Sequence, residues 1–193
     1  MKEDPLGKKQ HGGMRVPSKG ECLDLLKRYN GMGNIIRHCI KVAEIALSIS
    51  TELNRRGENL NLNVVEAAAL LHDITKAESF DSGEDHSLTG YRLLRNLGYK
   101  RVAEIVREHV FLLKDPDLPW VTEEEVVNYS DKRVRHDQIV TLRERFDDVR
   151  ARYCRDEGQR EWMDRLETLC YRIENKICSK LDIEPEEVTV TQS

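Results

Sequence analysis

Several things are scarce in this chain. No apolar run exceeds five residues, Ala67–Leu71, so nothing in it is long enough to span a bilayer. Basic residues do not exceed acidic ones: 31 Lys+Arg stand against 35 Asp+Glu, a formal net charge of −4 with neutral histidines. Coating nucleic acid or an anionic membrane needs a basic surface, so neither is expected as the main task. The five cysteines (22, 39, 154, 170, 178) are odd in number and lack CxxC spacing, which indicates neither a disulfide framework nor a thiolate zinc site. Cys39, Cys170 and Cys178 are expected to pack as small apolar residues. The N-terminus is charged and without the apolar core of a secretory signal, and the reading is a reduced, cytoplasmic protein. There is no convincing strand-like alternation, no repeat of fixed period, no P-loop and no dinucleotide fingerprint.

What is present is 39% hydrophobic and 34% charged residues in 193 positions, a helical composition with chain enough for one core. Residues 1–17 read as a polar tail. Ser18 and Glu21 fit a capping box opening a helix through Tyr29. Asn34 is placed to cap a long helix to about Arg56, whose Ile35, Cys39, Val42, Ala46, Ile49 and Leu53 share one face. Asn63 and Glu66 suggest the next cap, with a helix to about Lys76, then a polar loop Phe80–Asp85. Helices follow at 86–97 and from Lys100 to about Leu113. Asp115-Pro116-Asp117-Leu118-Pro119 breaks the chain, and Thr122 with Glu125 opens a helix through about Val134. Two charged helices, near 138–155 and 158–181, complete an all-α bundle of about seven or eight helices. The expected organisation is a tail, a helical domain over 18–137 and an extension over 138–193 packed on it.

Ionisable residues fall on the apolar faces of these helices. His38 borders the Ile35–Val42 stripe, His72 continues the Val65–Ala68–Ala69 face, and His109 continues Val102, Ile105 and Val106. His86 shares a face with Gly90, Leu93 and Leu97, and Asp131 stands between Val127 and Val134 where a core residue belongs. Each has an ordinary reading: a hydrogen-bonded histidine, or an Asp131–Arg135 pair one helical turn apart. An inward carboxylate is nonetheless costly unless paired or bound to metal. Several on different helices suggest a shared centre suited to Zn, Mn, Fe, Co or Ni. His11 and His136 receive no role, the charges after Asp137 read as a solvated face, and Trp120 and Trp162 are expected to pack.

The order His38, His72-Asp73, Asp131 resembles the H…HD…D signature of the HD-domain metal-dependent phosphohydrolases. Ala69-Leu70-Leu71-His72-Asp73-Ile74-Thr75-Lys76 is similar to the ALLHDIGK string of the HDIG branch. His86 with Gly90 looks like its HxxxG, Arg107-Glu108-His109 like its RxH, and Tyr129-Ser130-Asp131-Lys132 like its YADK. The likeness covers about 34–135. It implies that His38, His72, Asp73 and Asp131 hold one divalent ion. In two-metal members Asp73 would bridge, and His86, His109 and a further histidine would bind the second ion. That further position is Val110 here, and Thr75 replaces the HDIG glycine, so one ion is expected and the second is left open. An HHE…GYP stretch is lacking, which sets aside the HD-GYP branch.

The implied activity is hydrolysis of a phosphate ester, of a nucleotide or a related small phosphorylated metabolite, by metal-activated water. Asp73 would orient the water. Lys76, four residues after His72 on the same expected helix face, would contact phosphate, with Arg37 and Lys132 as weaker candidates. His86 and His109 would bind a second metal or donate a proton to the leaving oxygen. Nothing in the sequence is expected to read a base, because no aromatic cluster lies near the motif residues. The alternative is a catalytically silent HD-like module that senses a nucleotide or binds protein. Its support is the charged C-terminal pair of helices, a surface for a partner or for a second copy in a homodimer, and a metal that only staples the bundle is a third reading.

Overall fold

Residues 14–113 and 117–189 are described by the computed structural model. Positions 1–13 of the expected tail, His11 included, and Asp115-Pro116 of the expected breaker lie outside them. In chain order the helices are α1 (Lys19–Tyr29), α2 (Gly33–Arg55), α3 (Leu62–Leu71), α4 (Lys76–Ser82), α5 (His86–Asn96), α6 (Lys100–Glu108), α7 (Glu123–Lys132), α8 (Leu142–Tyr153) and α9 (Glu157–Leu181). An antiparallel ribbon of two residues per strand, β1 (Val134–Arg135) and β2 (Gln138–Ile139), separates α7 from α8, with Val134 opposite Ile139.

Local chemistry sets many of these boundaries. Ser18 with Glu21, Thr122 with Glu125 and Thr141 with Glu144 form reciprocal capping boxes that satisfy otherwise unpaired amides at the starts of α1, α7 and α8. The expected stripe on α2 is buried throughout, from Ile35 to Leu53. It packs on α3, whose residues from Val64 to Leu71 are buried apart from Glu66. α3 also meets α1, α6 and α7, so it runs through the centre of the bundle. α9 packs on α7 and α2, and α8 on α9. Cys22, Cys39, Cys170 and Cys178 are buried free thiols in this interior.

The chain departs from its local signals at several places. α2 starts at Gly33, with Met32 rather than Asn34 at its cap, and Asn61 rather than Asn63 caps α3. α3 stops at Leu71 instead of reaching Lys76: residues 72–75 form a turn closed by Ile74 N–H to Leu71 O and Lys76 N–H to Asp73 O. That turn is anchored from a distance, because Asn30 Nδ2 donates to Asp73 O at 2.8 Å and Thr75 Oγ1 to His86 O at 2.9 Å. Lys76 therefore opens a new helix, and Phe80–Ser82, read as loop, complete it before Gly83 at φ +71°. α6 ends at Glu108 rather than near Leu113. The ribbon was not expected; it turns through His136 at φ +60°. Trp120 and Trp162, expected to pack, are 53% and 41% exposed.

Candidate metal centre

Five separate pieces of chain bring the ionisable residues to one place. His38 comes from the first turns of α2, His72 and Asp73 from the turn after α3, and His86 is the first residue of α5. His109 is the C-cap of α6 and Asp131 lies near the end of α7. Asp73, His72, His109, Asp131 and His38 are all buried.

The four imidazoles point their Nε2 atoms at the two carboxylates. On one side His38 Nε2 lies 3.0 Å from Asp131 Oδ1 and 4.0 Å from Asp73 Oδ2. His72 Nε2 lies 3.4 Å from Asp73 Oδ2 and 3.6 Å from Asp131 Oδ1. On the other side His86 and His109 Nε2 lie 3.2 and 3.6 Å from Asp73 Oδ1, and 3.1 Å from each other. Asp73 thus turns one oxygen to each side. His38, His72 and Asp73 form one group compact enough to hold an ion, and Asp73, His86 and His109 another.

The outer ring nitrogens fix which way the inner ones face. Nδ1 of His38 lies 2.9 Å from His136 O, that of His72 2.7 Å from Ala69 O, and that of His109 2.6 Å from Val106 O. A carbonyl only accepts, so each Nδ1 carries the proton and Nε2 of the neutral ring presents a lone pair. This is the second-layer arrangement that orients histidine ligands.

A lone pair facing carboxylates in a buried site requires a cation between them. His72 Nε2 and Asp73 Oδ1 are buried and make no hydrogen bond to protein. A proton is one candidate cation. Burial pulls the His72 pKa down, but Asp73 and Asp131 outweigh it and raise it to about 9. A divalent ion is the other, and the donor set of neutral imidazoles and carboxylates fits one. Burial works against ionisation of Asp73 and Asp131, yet Lys76 and Lys132 beside them hold both carboxyls well below their usual range. Burial pushes His109 down to about 4, so it is neutral near pH 7. Both carboxylates and His109 are therefore already in the form a metal takes.

Lys76 reaches the centre from the start of α4 rather than along the helix of His72, its Nζ 2.6 Å from Asp73 Oδ2. Lys132 is buried, donating to His109 O at 2.6 Å and Asp131 Oδ2 at 2.9 Å, and so braces two site residues while lining the cavity. Arg37 stands outside, 3.5 Å from Asp137. The Asp131–Arg135 helical pair does not form: Asp131 faces His38, and Arg135 is on β1. Val110, the position of the missing histidine, lines the same cavity as the centre.

That cavity, of about 500 Å³, reveals residues the sequence reading passed over. Arg145, Arg152 and Tyr153 of α8 and Trp162 of α9 line it, with Phe80 from α4. The charged helices read as solvated surface therefore wall the site. The available signal was spacing: positions 145, 148 and 152, and beside them 146, 149 and 153, recur at helical intervals.

The HD domain family matches residues 35–182, reaching through α9. A tRNA (cytidine(56)-2'-O)-methyltransferase of Thermoplasma volcanium is 30% identical over 158 residues, covering 75% of this chain and 45% of that protein. An uncharacterized protein of Methanocaldococcus jannaschii is 28% identical over 126 residues, covering 55% of this chain and 73% of that one. Ribonuclease Y of Chloroflexus aurantiacus is 37% identical over 73 residues, 38% of this chain and 13% of the enzyme. The chain thus spans less than half of the methyltransferase and a small part of the ribonuclease. No solved structure matches it significantly.

Proposed function

Because this chain belongs to the HD domain family, we propose that its centre is the divalent-metal site of a phosphohydrolase acting on a phosphate ester of a nucleotide or related small phosphorylated metabolite. The observation that carries this reading is the convergence of four inward Nε2 atoms on Asp73 and Asp131, with His72 Nε2 and Asp73 Oδ1 buried and unpartnered. His38, His72, Asp73 and Asp131 would hold the first ion. An ion there supplies Lewis acidity and an activated water.

The chain's own residues do the rest. Asp73, ionised and fixed by Asn30 and Lys76, orients the attacking water. Lys76 is partly exposed to the cavity and places its ammonium where a phosphoryl oxygen gathers charge. His109, neutral near pH 7, is better suited to a second ion than to proton donation, which leaves His86, half-buried at the cavity wall, as the proton donor if that ion is absent. The names of the methyltransferase and the ribonuclease place both on RNA, whose unit is a nucleotide, and this favours a nucleotide among phosphorylated metabolites. Among the described residues no helix is long and apolar enough to cross a membrane, and the setting proposed is the cytoplasm.

Elemental mass spectrometry on untagged protein tests the site, followed by a phosphate-ester panel with Mn, Fe, Co, Ni and Zn. The expectation is one or two equivalents of metal, lost in His72→Ala, and hydrolysis abolished in Asp73→Ala. Failure to bind any of these metals overturns the reading. Metal binding with no turnover of any nucleotide would instead favour the silent HD-like module.

A further inference from the structure

Besides the imidazoles and carboxylates, the cavity is lined by a second set of side chains with a chemistry of its own. The exposed aromatic residues are Phe80, Phe111, Trp120, Tyr153, Trp162 and Tyr171 among the described residues. Phe80, Tyr153 and Trp162, from three different helices, all line this one cavity. Exposed rings scattered singly are ordinary, but a group of them around one concave site marks a binding surface.

Beside the rings stands an arginine with spare bonding capacity. Arg145, Asp148 and Arg152 form one stripe of α8, and Phe146, Val149 and Tyr153 the next. Arg152 Nη2 lies 2.8 Å from Asp148 Oδ1, whereas Arg145 Nη1 lies 3.8 Å from Asp148 Oδ2. Arg145 Nε is buried and makes no hydrogen bond to protein, nor does Asp148 Oδ2 beside it, whose carboxylate is already paired in charge with Arg152. A buried donor left in this state is costly, and a phosphate oxygen is the acceptor a guanidinium fork fits best. Arg145 and Lys76 line the same cavity, and Arg145 is close enough for its charge to act on Lys76.

We propose that α8 and α9 form the substrate-recognition half of the site, in which Arg145 bonds a phosphate oxygen and Trp162 stacks on the base, making the ligand a mononucleotide. The cavity of about 500 Å³ is within the range that encloses small ligands. The identity of the reaction at the phosphate rests on the hydrolase reading above; the binding does not.

Trp120 lies outside the cavity lining, so Trp120→Phe leaves Trp162 as the sole indole. The probe is a phosphonate analogue of adenosine 5′-monophosphate, which resists hydrolysis, titrated into the protein as purified. Ribose 5-phosphate and adenosine serve as controls. Saturable quenching by the nucleotide analogue is expected, with at least tenfold weaker binding of both controls. Arg145→Gln should weaken the analogue tenfold or more and leave adenosine unchanged. By calorimetry Trp162→Ala should weaken the analogue by roughly 5- to 150-fold, the range for losing one stacked base, and Trp162→Phe should largely restore it. Trp162 is partly exposed, so its loss does not threaten folding.

Equal binding of the analogue and ribose 5-phosphate overturns the proposal, as does indifference to Trp162→Ala. A short oligonucleotide binding more tightly than the mononucleotide overturns its mononucleotide part. The two readings separate cleanly. Quenching without turnover of any ester leaves this subsite standing and removes the hydrolase; turnover indifferent to Trp162→Ala does the reverse.

Discussion

Replacing Gly90 by alanine sets two effects of known size against each other. In a helix interior Ala is better than Gly by about 1 kcal/mol. At position 90, however, an added Cβ would lie 3.2 Å from Val106 Cγ1 and 3.5 Å from both Ile74 Cγ2 and Thr75 Oγ1. Val106 and Ile74 are fully buried and Thr75 is tied to His86 and Thr89, so none of the three can step aside freely. Overpacking of this kind costs about 1–3 kcal/mol, so the clash wins by about 0–2 kcal/mol. In a chain of this length that lowers Tm by up to roughly 8 °C. The strain has a direction. α5 moves away from α6 and the 72–75 turn, carrying His86 from its position 3.2 Å from Asp73 Oδ1. Gly90→Ala should therefore lose metal at the Asp73–His86–His109 group before the His38–His72–Asp73 group, followed by calorimetry and metal titration. Val106→Ala removes the nearest clashing atom, and the pair should show a favourable coupling of at least about 0.5 kcal/mol. A variant that gains the full helix-propensity benefit, keeps its metal and shows no coupling to Val106 would refute the packing argument.

Asp85 caps α5 through Ser87 N and Oγ, both at 2.8 Å, and Asp85→Ala should cost about 1 kcal/mol in urea unfolding. Burial raises the Asp85 pKa, but the bonds to Ser87 outweigh it and hold it below the usual 3.8. Its contribution is thus present above the unfolded-chain value and fades as pH falls through the folded one, a dependence that Asp85→Asn should lack. Tyr129 is buried, donating to Glu174 Oε2 at 2.8 Å and accepting from Arg133 Nη1 at 2.5 Å. Tyr129→Phe should therefore cost about 1–3 kcal/mol, and an unmoved unfolding midpoint would contradict this. His136 holds φ +60° while its carbonyl accepts a hydrogen bond from His38 Nδ1. His136→Gly should unfold no earlier than the wild type, whereas His136→Val should lose about 1–2 kcal/mol and bind metal more weakly, measured by calorimetry and metal titration.

What could be read from the sequence was what neighbours in sequence decide. The capping pairs Ser18/Glu21 and Thr122/Glu125 and the buried stripe of α2 depend on contacts three or four residues apart, and the helices appear where those contacts place them. The ordered histidines and aspartates were visible because each interrupts an apolar face. The break after Leu71 was hidden because Asn30, far upstream, holds the Asp73 carbonyl. The aromatic wall was hidden for a similar reason. Trp162 lies in a stretch of alternating charge, and only the packing of α9 and α8 brings it over a centre built from residues 38–131.

His72 and His109 occupy the same station on different helices: each is a C-cap whose imidazole bonds the carbonyl three residues back, at Ala69 and Val106. Those carbonyls belong to the last turn, where amides of the helix's own run out; Val106 O has besides the imidazole only the His109 amide, at 3.5 Å. One bond therefore both finishes the helix and aims the ring. The distance along the chain from the final turn to the ligand is consequently not adjustable. A residue inserted well upstream in α3 or α6 can be absorbed by sliding the helix. One inserted between 69 and 72, or between 106 and 109, breaks the bond from the ring to its carbonyl and releases the ring. Variation in these helices among functioning relatives should accordingly accumulate at their beginnings, with the last three residues constant in length.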